Sequence, residues 1–313
     1  MADRRPLDAV TGGFSFTGRA IAARLLADGR DVVTLVRRAD VANPFGPRVR
    51  AVDFRPDDPA ALTAALEGVD TLYNTLWIRF PRGTLTYDVA TDWTLRLVDA
   101  ARRAGVRRLV HLSVVNASED APTEYFVAKA RLEEAIRGCG LSYAIVRPTL
   151  TYGPGDILVN NLCWVLRRFP LFGVAGHGTY RLQPVHVDDV ASIARQAAGG
   201  DEDLTIDAAG PEILAFDEFV RSLADAIGRR ARLAHMAPLL VLATTRLLGV
   251  AVRDVLLTRD EITELMASLL VSGESPRGTI KFGGWVLAHA DELGRTYHSE
   301  LARHYRPRQV PGG

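Results

Sequence analysis

The chain has 313 residues, of which 48% are apolar and 24% charged, and its 38 basic residues nearly balance 37 acidic ones for a formal net charge of +1. That length suits one large domain or two unequal lobes with a sizeable core, and the composition excludes a disordered or collagen-like chain. Without a single-sign field, nucleic acid is not an expected partner. Two cysteines, Cys139 and Cys163, cannot build a disulfide framework and are expected as reduced, buried thiols of a cytoplasmic protein. Of the basic residues only Lys129 and Lys281 are lysine; the rest are arginine. A lysine in so arginine-rich a chain is a candidate for a site where guanidinium cannot replace ammonium.

Residues 1–7 are charged, show no signal or transit pattern, and run straight into an apolar strand. Short β-branched runs at Asp8–Thr11, Asp31–Val36, Val49–Asp53, Thr71–Thr75, Arg108–Val114 and Tyr143–Arg147 read as strands. Helical patterns fall between them at Thr17–Asp28, Pro59–Leu66, Asp88–Ala104 and Glu124–Arg137, with Gly29, Gly68, Gly105 and Gly140 placed as left-handed stops. Such alternation predicts an α/β fold, a doubly wound parallel sheet covered on both faces. Pro148–Gly178 reads as a long loop with one short helix at Ile157–Arg168, a last strand is expected at Leu204–Ala208, and beyond Gly210 the pattern is mostly helical. The expected division is therefore residues 1–210 as a nucleotide-binding domain and 211–313 as a smaller helical substrate lobe, to which 150–185 contribute. The most apolar stretch, Pro238–Thr258, is broken by Arg246, Gly249, Arg253 and Asp254, so it reads as a buried or amphipathic helix rather than a membrane span.

The first strand-to-helix junction is Thr11-Gly12-Gly13-Phe14-Ser15-Phe16-Thr17-Gly18. A glycine turn there lets backbone N–H groups and the helix N-terminus face a pyrophosphate. Gly12 would make the turn and Gly18 the close helix-strand approach. Ser15 stands where glycine usually clears the way to the phosphate, and its hydroxyl could donate to a phosphate oxygen. The second strand ends in Arg37-Arg38 with no acidic residue at its tip, which favours a 2′-phosphate and hence NADP over NAD. Asp53, ending the third strand, faces the adenine or caps a turn. Asn74, Thr75 and Trp77 follow the fourth strand at the edge where a cofactor lies.

Tyr125 and Lys129 are spaced four apart at the start of a helix, which puts both on one face. An ammonium beside a phenol stabilises phenolate, and a phenol so tuned can pass a proton to or from a carbonyl or alcohol. Far fewer than one such pair is expected by chance among two lysines and eight tyrosines. No histidine has metal-ligand spacing, and no metal is expected. Asn160, Asn161, Trp164 and Gln183 either touch substrate or pack, and Asp188 or Asp189 is expected to cap a helix.

The loop Thr11–Gly18, Arg37, Tyr125-x-x-x-Lys129, Arg147-Pro148-Thr149 and His186-Val187-Asp188-Asp189-Val190-Ala191 together resemble the extended or atypical short-chain dehydrogenase/reductase superfamily, in its NAD-dependent epimerase/dehydratase and NmrA-like branches. The resemblance covers about residues 6–210 and implies a Rossmann fold with a small substrate lobe, a Tyr125 acid/base, and a Lys129 that orients the ribose and lowers the phenol's pKa. It also sends Arg147-Pro148-Thr149 towards the nicotinamide and allows a homodimer. A serine or threonine that polarises the substrate oxygen usually precedes the tyrosine by about two dozen residues. Here Ser113 lies only twelve residues before Tyr125, so Asn116 and Ser118 are its rivals. The expectation is an NADP(H)-dependent oxidoreductase or epimerase of a small carbonyl or alcohol. A non-catalytic NADP(H)-binding regulator or assembly factor is the alternative.

Overall fold

Six short strands build the first part of the chain in a computed structural model that describes residues 5–37 and 42–305. They are β1 (Leu7–Thr11), β2 (Asp31–Val36), β3 (Val49–Asp53), β4 (Val69–Asn74), β5 (Arg108–Leu112) and β6 (Ser142–Pro148). Helices α1 (Phe16–Ala27), α2 (Pro59–Ala65), α3 (Tyr87–Arg103) and α4 (Glu124–Arg137) alternate with them. With the strand Leu204–Ala208 they form one seven-stranded sheet in the order Leu204–Ala208, β6, β5, β4, β1, β2, β3, parallel throughout. The strand order reverses between β1 and β4, the switch point outside which ligands of doubly wound sheets bind.

The sheet is apolar on both faces because helices cover both. One face packs Val10, Val110 and Val146 under α1 and the helix Val187–Ala197. The other packs Ala9, Leu72, Leu109 and Ile145 against α2, α3 and α4. Gly29, Gly68, Gly105 and Gly140 all have positive φ, between 72° and 76°. Each lies just past a helix, where a side chain would be strained.

Two compact units emerge: up to Thr151, Val185–Ala209 and Ser272–Thr279 in the first; Tyr152–Pro184, Gly210–Val271 and Ile280 onward in the second. The second unit thus takes in Tyr152–Pro184 as well as the chain from Gly210, apart from Ser272–Thr279. Ser272–Thr279 returns to the sheet unit through Ser272 Oγ donating to Asp207 at 2.6 Å, Gly278 N donating to Ala209 O at 2.8 Å and Thr279 donating to the Asp189 carboxylate from N at 2.9 Å and Oγ1 at 3.2 Å. Asp189 is therefore a tie and not a cap. His186 caps that helix, its Nδ1 accepting from Asp188 N at 3.2 Å.

The second unit holds the helices Leu158–Arg168, Phe216–Ala226, Pro238–Val252, Arg259–Met266 and Phe282–Ala288. It also holds a pairing the helical expectation lacked: Leu171–Ala175 lies parallel to Arg232–Met236. Their partners stand some sixty residues apart, so neither run carries a local hairpin signal. Asn160 and Asn161 serve as internal ties, bonding Thr296 O, Gly294 N and the His298 backbone at 2.8–3.0 Å. Trp164 packs on Tyr297, and Gln183 Nε2 donates to Gly210 O at 2.7 Å. Cys163 is buried, but Cys139 is partly exposed, contrary to the expectation of two buried thiols.

Candidate functional site

The glycine loop is built for close approach. Gly12 has φ +61°, and a Cβ on Gly18 would stand 2.3 Å from Gly12 O. Any side chain at Gly18 would push α1 off β1. The first-turn amides of α1 have no intrahelical acceptor, and with the helix dipole they form an anion site. Two groups of the loop are turned inward. Gly13 N donates to Thr34 Oγ1 at 2.7 Å, and Thr34 Oγ1 in turn donates to Val10 O at 2.8 Å. The Ser15 hydroxyl donates to Gly12 O at 2.6 Å, inside the turn, instead of pointing to an outside acceptor. Phe14 packs partly buried against the core.

Beside the loop, the ends of β1, β4 and β5 are joined by polar side chains. Thr11 Oγ1 donates to Asn74 Oδ1 at 3.1 Å and accepts from Thr75 N at 2.7 Å, while Thr75 Oγ1 donates to Thr11 O at 2.6 Å. Asn74 Oδ1 also accepts from Leu76 N, so its amide group faces His111 Nδ1, 3.0 Å away. His111 therefore accepts at Nδ1 and carries its proton on Nε2, which is buried with no partner. Burial, with the Lys129 charge adding to it, holds His111 well below the usual imidazole range, so the ring is neutral.

On α4 the spacing of four repeats three times: Tyr125, Lys129, Glu133 and Arg137 form one stripe. Lys129 is 2% exposed. Its Nζ donates to Leu112 O at 2.9 Å and lies 4.2 Å from the centroid of the Trp77 ring. Burial pulls this ammonium down to about 7, against a smaller upward pull from Glu133. Trp77 also stacks on Tyr87, centroids 5.9 Å apart, and meets Tyr125 edge-on at 6.1 Å. The Glu133 carboxylate, 1% exposed, accepts from Arg147 Nε at 2.9 Å and Nη2 at 2.5 Å and from Arg137 at 3.0 Å. The Arg147 side chain is thus spent on α4 and does not point towards a nicotinamide, although its neighbours Pro148 and Thr149 do reach the site.

A cavity of about 190 Å³ opens where these pieces meet, lined by Thr17, Thr75, Trp77, Ser113, Tyr125, Lys129, Pro148 and Thr149 among others. Three buried polar atoms of this lining, Trp77 Nε1, Ser113 Oγ and Thr149 Oγ1, have no partner. Unpaired buried polar groups cost about 1–3 kcal/mol each, so their convergence on one cavity is the mark of a ligand site. β5 ends at Leu112, and Ser113 continues its line with N donating to Val146 O at 2.8 Å. Hence Ser113 lies on the cavity with Tyr125 and Lys129. Asn116 is exposed in the left-handed region at φ +56°. Ser118 Oγ accepts from Asp120 N in a turn. Neither rival lines the cavity.

Arg37 is exposed at the end of β2, and Arg38 lies outside the described residues. Asp53 is exposed at the end of β3, the sheet edge, with Arg55 3.3 Å away. The only signal that the sequence carries for Thr34 and His111 is a polar residue inside the apolar strand runs Asp31–Val36 and Arg108–Leu112. The glycine cradle and the unpartnered donors and hydroxyls fit a dinucleotide laid from α1 towards α4.

An NAD(P)H-binding family model matches residues 12–156. A (4-alkanoyl-5-oxo-2,5-dihydrofuran-3-yl)methyl phosphate reductase of Streptomyces griseus is 31% identical over 236 residues, covering 72% of this chain and 76% of that protein. A ceramide reductase of Caulobacter vibrioides is 32% identical over 193 residues, 61% of this chain. The chain spans 60% of the length of that reductase and 23% of an uncharacterized Mycobacterium bovis protein that it also matches. Among solved structures, the Citrobacter triphenylmethane reductase complexed with NADP(H) superposes with TM-score 0.74 at 18% identity, over 91% of this chain and 99% of that one. The chain belongs to the NAD(P)H-binding family of the extended and atypical short-chain dehydrogenase/reductase superfamily.

Proposed function

We propose that the protein is an NADP(H)-dependent oxidoreductase that reduces a small carbonyl substrate or oxidises the corresponding alcohol. The observation that carries this reading is the cavity on which Tyr125, Lys129 and the unpartnered hydroxyl of Ser113 converge. The reductases among its relatives support the direction of the chemistry. Backbone amides of the first turn of α1, brought close by the Gly12–Gly18 turn, would hold the pyrophosphate, with Thr75, Pro148, Thr149 and Lys129 towards the nicotinamide ribose. Arg37 favours a 2′-phosphate. When bound, the dinucleotide supplies or accepts the hydride. Tyr125 holds the proton exchanged with the substrate oxygen, and Ser113 donates a hydrogen bond to that oxygen. Lys129 lends the phenol a positive charge only when protonated, and its burial makes that protonation sensitive near neutral pH.

A non-catalytic NADP(H)-binding regulator is the second reading, and one contact favours it: the Trp77 ring covers the Lys129 ammonium. The test is substrate-dependent loss of NADPH absorbance across a carbonyl panel. Tyr125→Phe is expected to lower turnover by at least about 100-fold while NADPH still titrates. Tight NADPH binding with no turnover on any carbonyl selects the regulator.

A further inference from the structure

The helix Pro238–Val252 turns large apolar side chains to solvent: Leu239 is 71% exposed, Leu240 57%, Leu247 75% and Val250 77%. At 3.6 residues per turn these four fall within about 100° of arc. Val241, Leu242 and Gly249, on the other side, are buried, and Val241 and Leu242 pack on Ala175 and Ile262. Single exposed aliphatics are ordinary, but four on one arc make a face.

The stretch of chain that carries this face is basic. Residues 226–253 contain Arg229, Arg230, Arg232, Arg246 and Arg253 and no aspartate or glutamate, in a chain whose total charge is only +1. All five arginines are exposed. Arg246 projects about 20° outside one edge of the apolar arc. There its guanidinium can stay in water while its stem lies along the apolar surface.

We propose that this face docks the protein on the surface of an anionic membrane, with the apolar arc at the boundary of headgroups and acyl chains and the arginines on lipid phosphates. A second copy of the chain is the poorer occupant, because a two-fold contact through this arc would bring the Arg246 side chains at its edge towards each other. Fifteen residues make a helix of about 22 Å, short of the ~30 Å hydrocarbon core. No helix among the described residues is long and apolar enough to cross a membrane. The helix therefore lies in the plane of the interface.

The experiment is cosedimentation of the full chain with vesicles of phosphatidylcholine alone, and of phosphatidylcholine and phosphatidylglycerol in equal parts. Binding is expected only to the mixed vesicles and falls as salt rises. Leu247→Ser combined with Val250→Ser should weaken it at least about tenfold. Arg229→Gln combined with Arg230→Gln, both exposed, should weaken it and flatten the salt dependence. Both variants should keep the wild-type melting midpoint. Failure to sediment with mixed vesicles, equal binding to both compositions, or unchanged binding of both variants would overturn the proposal. So would a dimer that Leu247→Ser/Val250→Ser converts to monomer, since the occupant would then be a second copy.

Discussion

Lys129 carries the sharpest consequence at the scale of single residues. Its ammonium is buried, sits against one carbonyl oxygen and one indole face, and titrates near 7 instead of its ordinary 10.5. Between those two values the unfolded chain holds a proton that the folded protein has lost. Stability therefore rises with pH across that window, by up to ~1.4 kcal/mol per pH unit, and this contribution is flat below pH 7. Lys129→Met should be more stable than the wild type at neutral pH, with the difference shrinking as pH rises from 7 towards 10. Urea unfolding midpoints of the ligand-free protein at several pH values measure it. The buried hydroxyls of Ser113 and Thr149 illustrate the reverse case, polar atoms whose hydrogen bonds the chain does not itself supply.

Two elements are latched by single side chains. Thr34 of β2 ties the glycine loop to the sheet, accepting from Gly13 N and donating to Val10 O. Thr34→Val keeps the shape but takes away the acceptor of the Gly13 amide. We expect a loss of about 2 kcal/mol or more, read from denaturant unfolding, and weaker NADPH binding because the loop is freed. The second latch joins β6 to α4 through Arg147 and the buried Glu133 carboxylate. Arg147→Met removes a bidentate partner and should cost about 3 kcal/mol, while the double variant with Glu133→Leu should recover most of that loss. Equal destabilisation of the single and double variants would mean that the buried carboxylate is satisfied without Arg147. By fixing α4 on the sheet, this pair sets where Tyr125 stands.

For the whole molecule, the dinucleotide is expected to act as a stabilising ligand. At a hundredfold excess over its dissociation constant, NADPH should add ~2.7 kcal/mol and raise the melting midpoint by about 5 °C. NADH at the same concentration should raise it less. Arg37→Ala should erase that difference by lowering the NADPH shift alone; equal losses for both nucleotides would assign Arg37 to something other than the 2′-phosphate. Much of this architecture is legible in local pattern. The strands Asp31–Val36, Val49–Asp53 and Leu204–Ala208 and the helix Glu124–Arg137 occur with the bounds expected from sequence, because each is an apolar run closed by turn residues that act over a few positions. The pair Leu171–Ala175 and Arg232–Met236 was not legible, since its pairing is non-local.

The sequence by itself determined the alternation that makes a parallel sheet, the glycines that permit the loop, and the four-residue spacing that puts Tyr125 and Lys129 on one face. These depend on backbone sterics and helical period, which a few neighbouring residues dictate. Only the tertiary structure decided which polar atoms are spent and which are left over. Arg147 is consumed by Glu133 and Ser15 by its own turn, while Ser113, Thr149 and Trp77 keep unpaired polar atoms at one cavity. Burial and partnership arise from segments far apart in the chain, so no local pattern encodes them, and they decide the protonation of Lys129 and the place where a ligand fits.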